Sequence, residues 1–287
     1  MITGMAWADI DGDKDMDIII VGDWMPVKIL VNNNGKFTDE SAKRGLTGTE
    51  GWWNTVETAD LNGDGYIDFV AGNHGLNTYF KASGAKPVTM YVNDFDLNGS
   101  VEQLICAWFG DKDYPVVLKD ELVSQIPSLA SRYSRFADYS NQAITDIFTP
   151  EILKRSLVLK ATQMKSCAFI NDGKGSFTVV PLPDPAQFTP VYSIITGDFN
   201  RDGITDIITG GNQYRAKPQW GIYDAGYGLL LEGTKDAAFK AIQPVSSGIS
   251  VKGEIRDMKF LNIEGKTILT IARNNNNLQF YSSKNLK

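Results

Sequence analysis

Asp9-Ile-Asp-Gly-Asp-Lys-Asp-Met-Asp17 and Asp60-Leu-Asn-Gly-Asp-Gly-Tyr-Ile-Asp68 set a nine-residue pattern that returns as Asp94-Phe-Asp-Leu-Asn-Gly-Ser-Val-Glu102 and Asp198-Phe-Asn-Arg-Asp-Gly-Ile-Thr-Asp206. Positions 1, 3, 5 and 9 carry an oxygen-bearing side chain in every copy. They are Asp9, Asp11, Asp13 and Asp17, then Asp60, Asn62, Asp64 and Asp68, then Asp94, Asp96, Asn98 and Glu102, and last Asp198, Asn200, Asp202 and Asp206. Position 7, occupied by Asp15, Tyr66, Ser100 and Ile204, is counted in the same candidate ligand sets. This spacing lets a tight turn gather hard oxygen donors around Ca²⁺. Carboxylates held so close repel one another unless a cation lies among them. The pattern predicts up to four calcium sites.

An EF-hand would place a bidentate Glu at position 12 and flank the loop with helices. The twelfth positions here are Ile20, Ala71, Ile105 and Thr209, and the flanks read as strands, such as Asp17-Ile-Ile-Ile-Val-Gly22 after a loop and Val191-Tyr-Ser-Ile-Ile-Thr-Gly197 before one. Each loop therefore joins two strands of a hairpin. Leu30-Val-Asn-Asn-Asn-Gly-Lys-Phe37 and Phe169-Ile-Asn-Asp-Gly-Lys-Gly-Ser-Phe177 add further hairpins built on Asn-Gly and Asp-Gly turns.

Strand, Asp-x-Asp/Asn-x-Asp-Gly-x-x-Asp, strand resembles the FG-GAP/VCBS-type repeat of integrin-like calcium-binding β-propellers. The chain as a whole resembles part of the large VCBS-repeat proteins of Bacteroidetes related to the ASPIC/UnbV group, although an ASPIC/UnbV region is not seen. The resemblance implies an all-β propeller of about five four-stranded blades, or a portion of a larger one. Counted from the loops, blade one spans about 2–41, blade two about 51–87 and blade four about 191–243. Blade three begins at Val88, is interrupted, and resumes at Cys167 to Val180. A fifth unit, 253–272, keeps strand–turn–strand but has lost its acids and should hold no metal. The interruption, 118–165, reads as a helical insertion within blade three, because Leu122, Val123, Ile126 and Leu129 fall at helical spacing and Thr149-Pro150-Glu151 suits a helix start. It is either a solvated cap or an element that docks a partner or closes over a ligand. The expectation is one propeller body over 1–287.

With 287 residues, 43% of them hydrophobic, the chain has material for a large core, and no apolar run approaches the roughly 18 residues that span a membrane. The net charge of −6 is local: the loops hold 14 of the 34 acids, leaving 20 against 28 Lys and Arg. No basic stripe with interleaved aromatics appears, so nucleic acid is not an expected partner. No basic segment or apolar run of the kind that directs export is visible. Extracellular-module calcium sites, with dissociation constants on the order of 10⁻⁴ to 10⁻³ M, nevertheless favour an extracellular, periplasmic or cell-surface setting, with any export segment outside this chain. Cys106 and Cys167 read as buried strand residues, with a disulfide left open.

In a four-stranded blade the loop after the second strand lies at the opposite end from the loop after the first. Those segments are 22–26, 72–79, 108–114, 212–224 and 273–277, rich in Trp, Tyr, Asn and Arg. Trp24, His74, Trp108, Tyr214, Arg215, Trp220 and Tyr223 are the candidate ligand-binding residues, with a glycan or protein as the expected ligand, against the alternative that these aromatics cap blade cores. Trp52 and Trp53 should enter the same rim, one inward and one outward.

Catalysis has little support. His74 is the single histidine, and there is no nucleophile elbow, phosphate-cradling loop or zinc spacing. The carboxylates outside the acidic loops that could serve chemistry are Asp23, Asp111, Asp113 and Asp224. The alternative function is a polysaccharide lyase or hydrolase on a propeller scaffold, and the leading one is a calcium-stabilised binding or adhesion module.

Overall fold

The computed structural model describes residues 1–282. Hydrophobic alternation and the acidic turns produce antiparallel hairpins throughout. The first sheet is β1 (Ile2–Ala8), β2 (Asp17–Met25), β3 (Lys28–Asn33) and β4 (Lys36–Asp39), with β5 (Gly51–Trp52) added to the far end of β2. Next come β6 (Thr55–Ala59) and β7 (Asp68–Gly72), joined by the second acidic loop.

The chain then enters a second compact unit, Phe80–Gln163, while Met1–Tyr79 and Met164–Lys287 make up the first. Inside the second unit β8 (Val88–Asn93), β9 (Glu102–Phe109), β10 (Lys112–Pro115) and β11 (Leu157–Ala161) form a complete sheet in the order β10-β9-β8-β11. Of four short helices, α1 (Lys119–Gln125), α2 (Phe136–Tyr139), α3 (Ile144–Ile147) and α4 (Pro150–Arg155), α1 and α3 bring Leu122, Ile144 and Ile147 into one cluster with Leu104 and Cys106 of that sheet, and Tyr139 of α2 and Ile152 and Leu153 of α4 pack on it half-buried. Two expectations are corrected here. The helical stretch ends at Arg155, since 157–161 is strand, and the third acidic loop belongs to a sheet of its own rather than to a blade that resumes at Cys167.

β12 (Cys167–Asn171) and β13 (Phe177–Pro181) instead complete the second sheet, pairing Phe169 with Phe69 of β7. Local periodicity announces the hairpin but not its partner strand. The partner is chosen by packing: Phe69 and Phe169 stack at 4.4 Å, and Trp53 meets Phe169 edge-on at 5.8 Å, contacts worth about 0.5–1.5 kcal/mol each beyond their burial. Trp53 is therefore the inward member of its pair and Trp52 the half-buried one.

The third sheet of the first unit is β14 (Val191–Gly197), β15 (Asp206–Gly211), β16 (Leu229–Gly233) and β17 (Phe239–Ile242), and the last is β18 (Ile255–Ile263), β19 (Lys266–Arg273) and β20 (Gln279–Ser282). The β18–β19 turn uses Glu264 and Gly265, both at positive φ (49° and 74°), as a two-residue hairpin of this hand requires. The first strands abut in succession, β1 to β6, β6 to β14, β14 to β18, and a separate apolar cluster fills each junction between neighbouring sheets. One device recurs at the ends of the second strands. A Cβ on Gly22, Gly72 or Gly211 would collide with the backbone carbonyl of Met1, Val191 or Pro190, so only glycine permits that approach. Cys106 and Cys167 are buried and free, one in each unit. Among the described residues no helix is long and apolar enough to cross a membrane.

Candidate functional site

The acidic loops share one backbone. Positions 4 and 6 take positive φ in every copy: Gly12 and Lys14, Gly63 and Gly65, Leu97 and Gly99, Arg201 and Gly203. That conformation turns amides inward, and the position-1 carboxylate collects them. Asp9 accepts from Gly12 and Lys14 (2.8 and 3.0 Å), Asp60 from Gly63 and Gly65 (2.7 and 2.8 Å), Asp94 from Asn98 and Gly99 (3.0 and 2.9 Å), and Asp198 from Asp202 and Gly203 (3.1 and 3.0 Å). Position 5 accepts from the amide of position 7, as in Asp64 from Tyr66 (2.9 Å) and Asp202 from Ile204 (2.8 Å).

Position 9 does something the motif alone does not disclose. Asp17, Asp68 and Asp206 are each 0% exposed. One oxygen accepts the amide of position 2 (Ile10, Leu61 or Phe199), and the other accepts an amide from the third strand of the sheet or just past it: Asn32, Asn171 or Gly233. The carboxylate thus clamps the loop to a strand its own hairpin does not contain. Burial pushes Asp68 up to about 6, partly offset by its two amide donors. Glu102, longer by one methylene, makes the position-2 bond alone, to Phe95 at 3.0 Å.

In loops one and three, three carboxylates place ligand atoms within 4.8 Å of one another: Asp9, Asp11 and Asp17, and Asp94, Asp96 and Glu102. In both, one oxygen of the position-3 residue, Asp11 Oδ1 and Asp96 Oδ1, is buried with no hydrogen-bond partner, an arrangement that is costly without a cation. Loops two and four carry Asn62 and Asn200 at position 3, and these amides donate to Asp64 and Asp202 at 2.9 and 3.0 Å. Arg44, which no motif signalled, binds Asp11 Oδ2 at 2.9 Å and the Gly175 carbonyl at 3.0 Å. Asn171, visible in the sequence only as part of a turn, donates to the Ile10 and Ile67 carbonyls at 2.8 and 3.1 Å.

At the other ends of the same strands the first unit gathers a row of rings. Trp24 meets Trp52 at 5.0 Å, Trp52 meets His74 at 5.1 Å, and His74 meets Tyr223 at 4.8 Å, all edge to face. Buried Asn73 orders the row, its side-chain oxygen accepting the amides of Trp52 (3.2 Å) and His74 (2.8 Å). Trp24 holds φ at 61°, a conformation that costs a bulky residue on the order of 1–2 kcal/mol and that concentrates at functional sites. Tyr223 is buried, with its hydroxyl 3.1 Å from that of Thr78, so it is the packed end of the row rather than an open platform. Tyr214 and Arg215 are exposed, the former with its amide bonded to Glu254 at 2.8 Å, and Trp220 is half-buried under Lys217 at 5.6 Å. Trp108 belongs to the second unit.

Among the spare carboxylates, Asp111 and Asp224 are exposed, whereas burial raises Asp23 and Asp113 above the ordinary range. Burial pushes His74 the other way, from 6.5 down to about 4. The folded ring then stays neutral while the unfolded one takes up a proton, so its contribution is intact above pH 6.5 and lost as pH falls through 4. Between those pH values wild type should lose about 2 kcal/mol more unfolding free energy than His74→Gln, an amount that allows for the ring's partial exposure. Urea titrations of both proteins at each pH read this, and parallel pH profiles would contradict it.

Residues 4–71, which hold the first and second acidic loops, match the model of an FG-GAP-like repeat. Comparison with curated proteins returns no match.

Proposed function

We propose that this chain is a calcium-stabilised binding module of the extracellular space or cell surface, whose sheets are blades of a β-propeller and whose ligand, a glycan or a protein, meets the aromatic row at the strand ends opposite the acidic loops. FG-GAP repeats occur in extracellular adhesion-type modules, which is compatible with this setting. Sheets abutting through their first strands, with an apolar cluster at each junction, support the propeller.

The observation that carries the calcium reading is the pair of buried, unpartnered oxygens, Asp11 Oδ1 and Asp96 Oδ1, each inside a three-carboxylate cluster. Ca²⁺ takes six to eight oxygens and would supply counter-charge to both clusters, of which loop one has the single Arg44 contact to Asp11. On carboxylate count loop one leads with five, and loops two, three and four carry three each, loop three differing from two and four in bringing its three within 4.8 Å of one another.

The row of Trp24, Trp52 and His74 carries the ligand reading. Edge-to-face rings present apolar area with polar rims, which suits sugars and peptide side chains. A glycan and peptide binding screen tests it, run with Ca²⁺ and with EDTA. Trp24→Asn removes the ring and relieves the backbone, because Asn tolerates the left-handed region. Binding should fall at least about tenfold while the melting temperature holds or rises. Unchanged binding by Trp24→Asn would remove the row from the ligand site, and turnover of a polysaccharide would replace the module by an enzyme.

A further inference from the structure

The second unit contains a groove of about 560 Å³, within the range of small-ligand sites. Its floor is one face of the β10-β9-β8-β11 sheet. Asp113 lies directly opposite Trp108, Thr89 opposite Lys160, and Tyr91 one pleat further on, while Thr145 of α3 forms a wall.

Polar groups on that floor are only half satisfied. Asp113 is buried at 8% exposure, and its Oδ2 accepts the Thr89 hydroxyl at 2.6 Å and the Tyr91 hydroxyl at 3.5 Å. Its Oδ1 is buried with no partner, and so is the indole Nε1 of Trp108 on the neighbouring strand. An acceptor and a donor left open side by side each cost about 1–3 kcal/mol if nothing meets them. A hydroxyl meets both kinds, since it donates and accepts. The volume exceeds what a single bridging water would fill.

Charge narrows the class. Lys112 pairs with Asp146 at 3.5 Å and Asp111 with Lys86 at 3.3 Å, so among the described residues Asp113 and Lys160 are the lining charges without an ion-pair partner, and they offset each other. That balance favours an uncharged ligand over a cation or an anion. Trp108 and Tyr91 contribute ring surface of the kind on which the C–H faces of a pyranose rest. We infer that this groove is a saccharide site for a neutral mono- or disaccharide, with one sugar hydroxyl donating to Asp113 Oδ1 and a sugar oxygen accepting from Trp108 Nε1–H.

The site lies in the second unit and the aromatic row in the first. The test uses the whole chain, titrated with glucose, galactose, mannose, N-acetylglucosamine, maltose and cellobiose by tryptophan fluorescence and calorimetry, with n-butylammonium as the cationic probe. Wild type should bind at least one sugar saturably at millimolar concentration or below. Asp113→Asn, which keeps the shape, should weaken it about tenfold or more, and Trp108→Phe, which keeps ring surface but removes the donor, about fivefold. Thr145→Trp leaves the polar floor intact and fills the groove from an exposed helix position, so it should abolish binding even if a floor variant folds poorly. Absence of saturable binding to every sugar, tighter binding of n-butylammonium, or a wild-type affinity in both Asp113→Asn and Thr145→Trp would each overturn the inference. Sugar binding lost in Trp24→Asn but retained in Thr145→Trp would also overturn it, while leaving the first unit's ligand reading in place.

Discussion

Asp68→Ala is expected to lower the unfolding free energy by about 3–4 kcal/mol even when Ca²⁺ is chelated. Its carboxylate is 0% exposed and accepts the amides of Leu61 at 2.9 Å and Asn171 at 2.8 Å. Alanine would leave both donors buried without acceptors, at about 1–3 kcal/mol each. It would also cut the tie between the loop and β12, which joins the sheet after 84 residues of sequence, 80–163, that belong to the second unit. Asp206→Ala should behave alike, through Phe199 and Gly233. The informative comparison is Asp64→Ala in EDTA. That residue is exposed and accepts the Tyr66 amide at 2.9 Å and the Asn62 side-chain amide at 2.9 Å, both at the surface, so its loss should cost under about 1 kcal/mol, and relief of repulsion from Asp60 would reduce even that. Chemical denaturation of both variants in EDTA reads the difference. Equal losses would mean that position 9 is no more structural than the rest of the loop.

Calcium itself should have the larger total effect. At a hundredfold excess over its dissociation constant each occupied site stabilises by roughly 2.7 kcal/mol, which for a chain of this size corresponds to roughly 5–10 °C in melting temperature. Asp13→Ala and Asp96→Ala should each remove about one such increment in Ca²⁺ and little in EDTA. Divalent specificity follows from the donor set, since Ca²⁺ tolerates irregular all-oxygen coordination that Mg²⁺ does not.

The acidic loops and their hairpins were legible because their determinants are local: carboxylates at fixed offsets, turn formers, and strands of period two on either side. The same local rules located β18 and β19 after the acids had gone. Pairing over long separations was not legible. Cys167–Asn171 reads as a strand anywhere, and only the Phe69–Phe169 stack and the Asp68 clamp decide that it joins the second sheet. Trp108 and Asp113 lie on the sheet of the second unit, and Asp111 in the turn between its β9 and β10. Of the ring-bearing candidates, Trp24, His74 and Tyr223 do come together, with Trp52 between the first two. Asn171 is visible in the sequence only as part of a turn, and the long-range bonds of Arg44 to Asp11 and of Asn171 to the Ile10 carbonyl leave no local signal, since each spans more than thirty residues.

Calorimetric titration of the chelator-treated chain with CaCl₂ tests the central claim most directly. Saturable binding of at least two and up to four equivalents, with one equivalent lost in Asp11→Ala and another in Asp96→Ala, is the predicted result. A titration without saturable heat into the millimolar range, together with melting curves that superimpose in Ca²⁺ and EDTA, would contradict it.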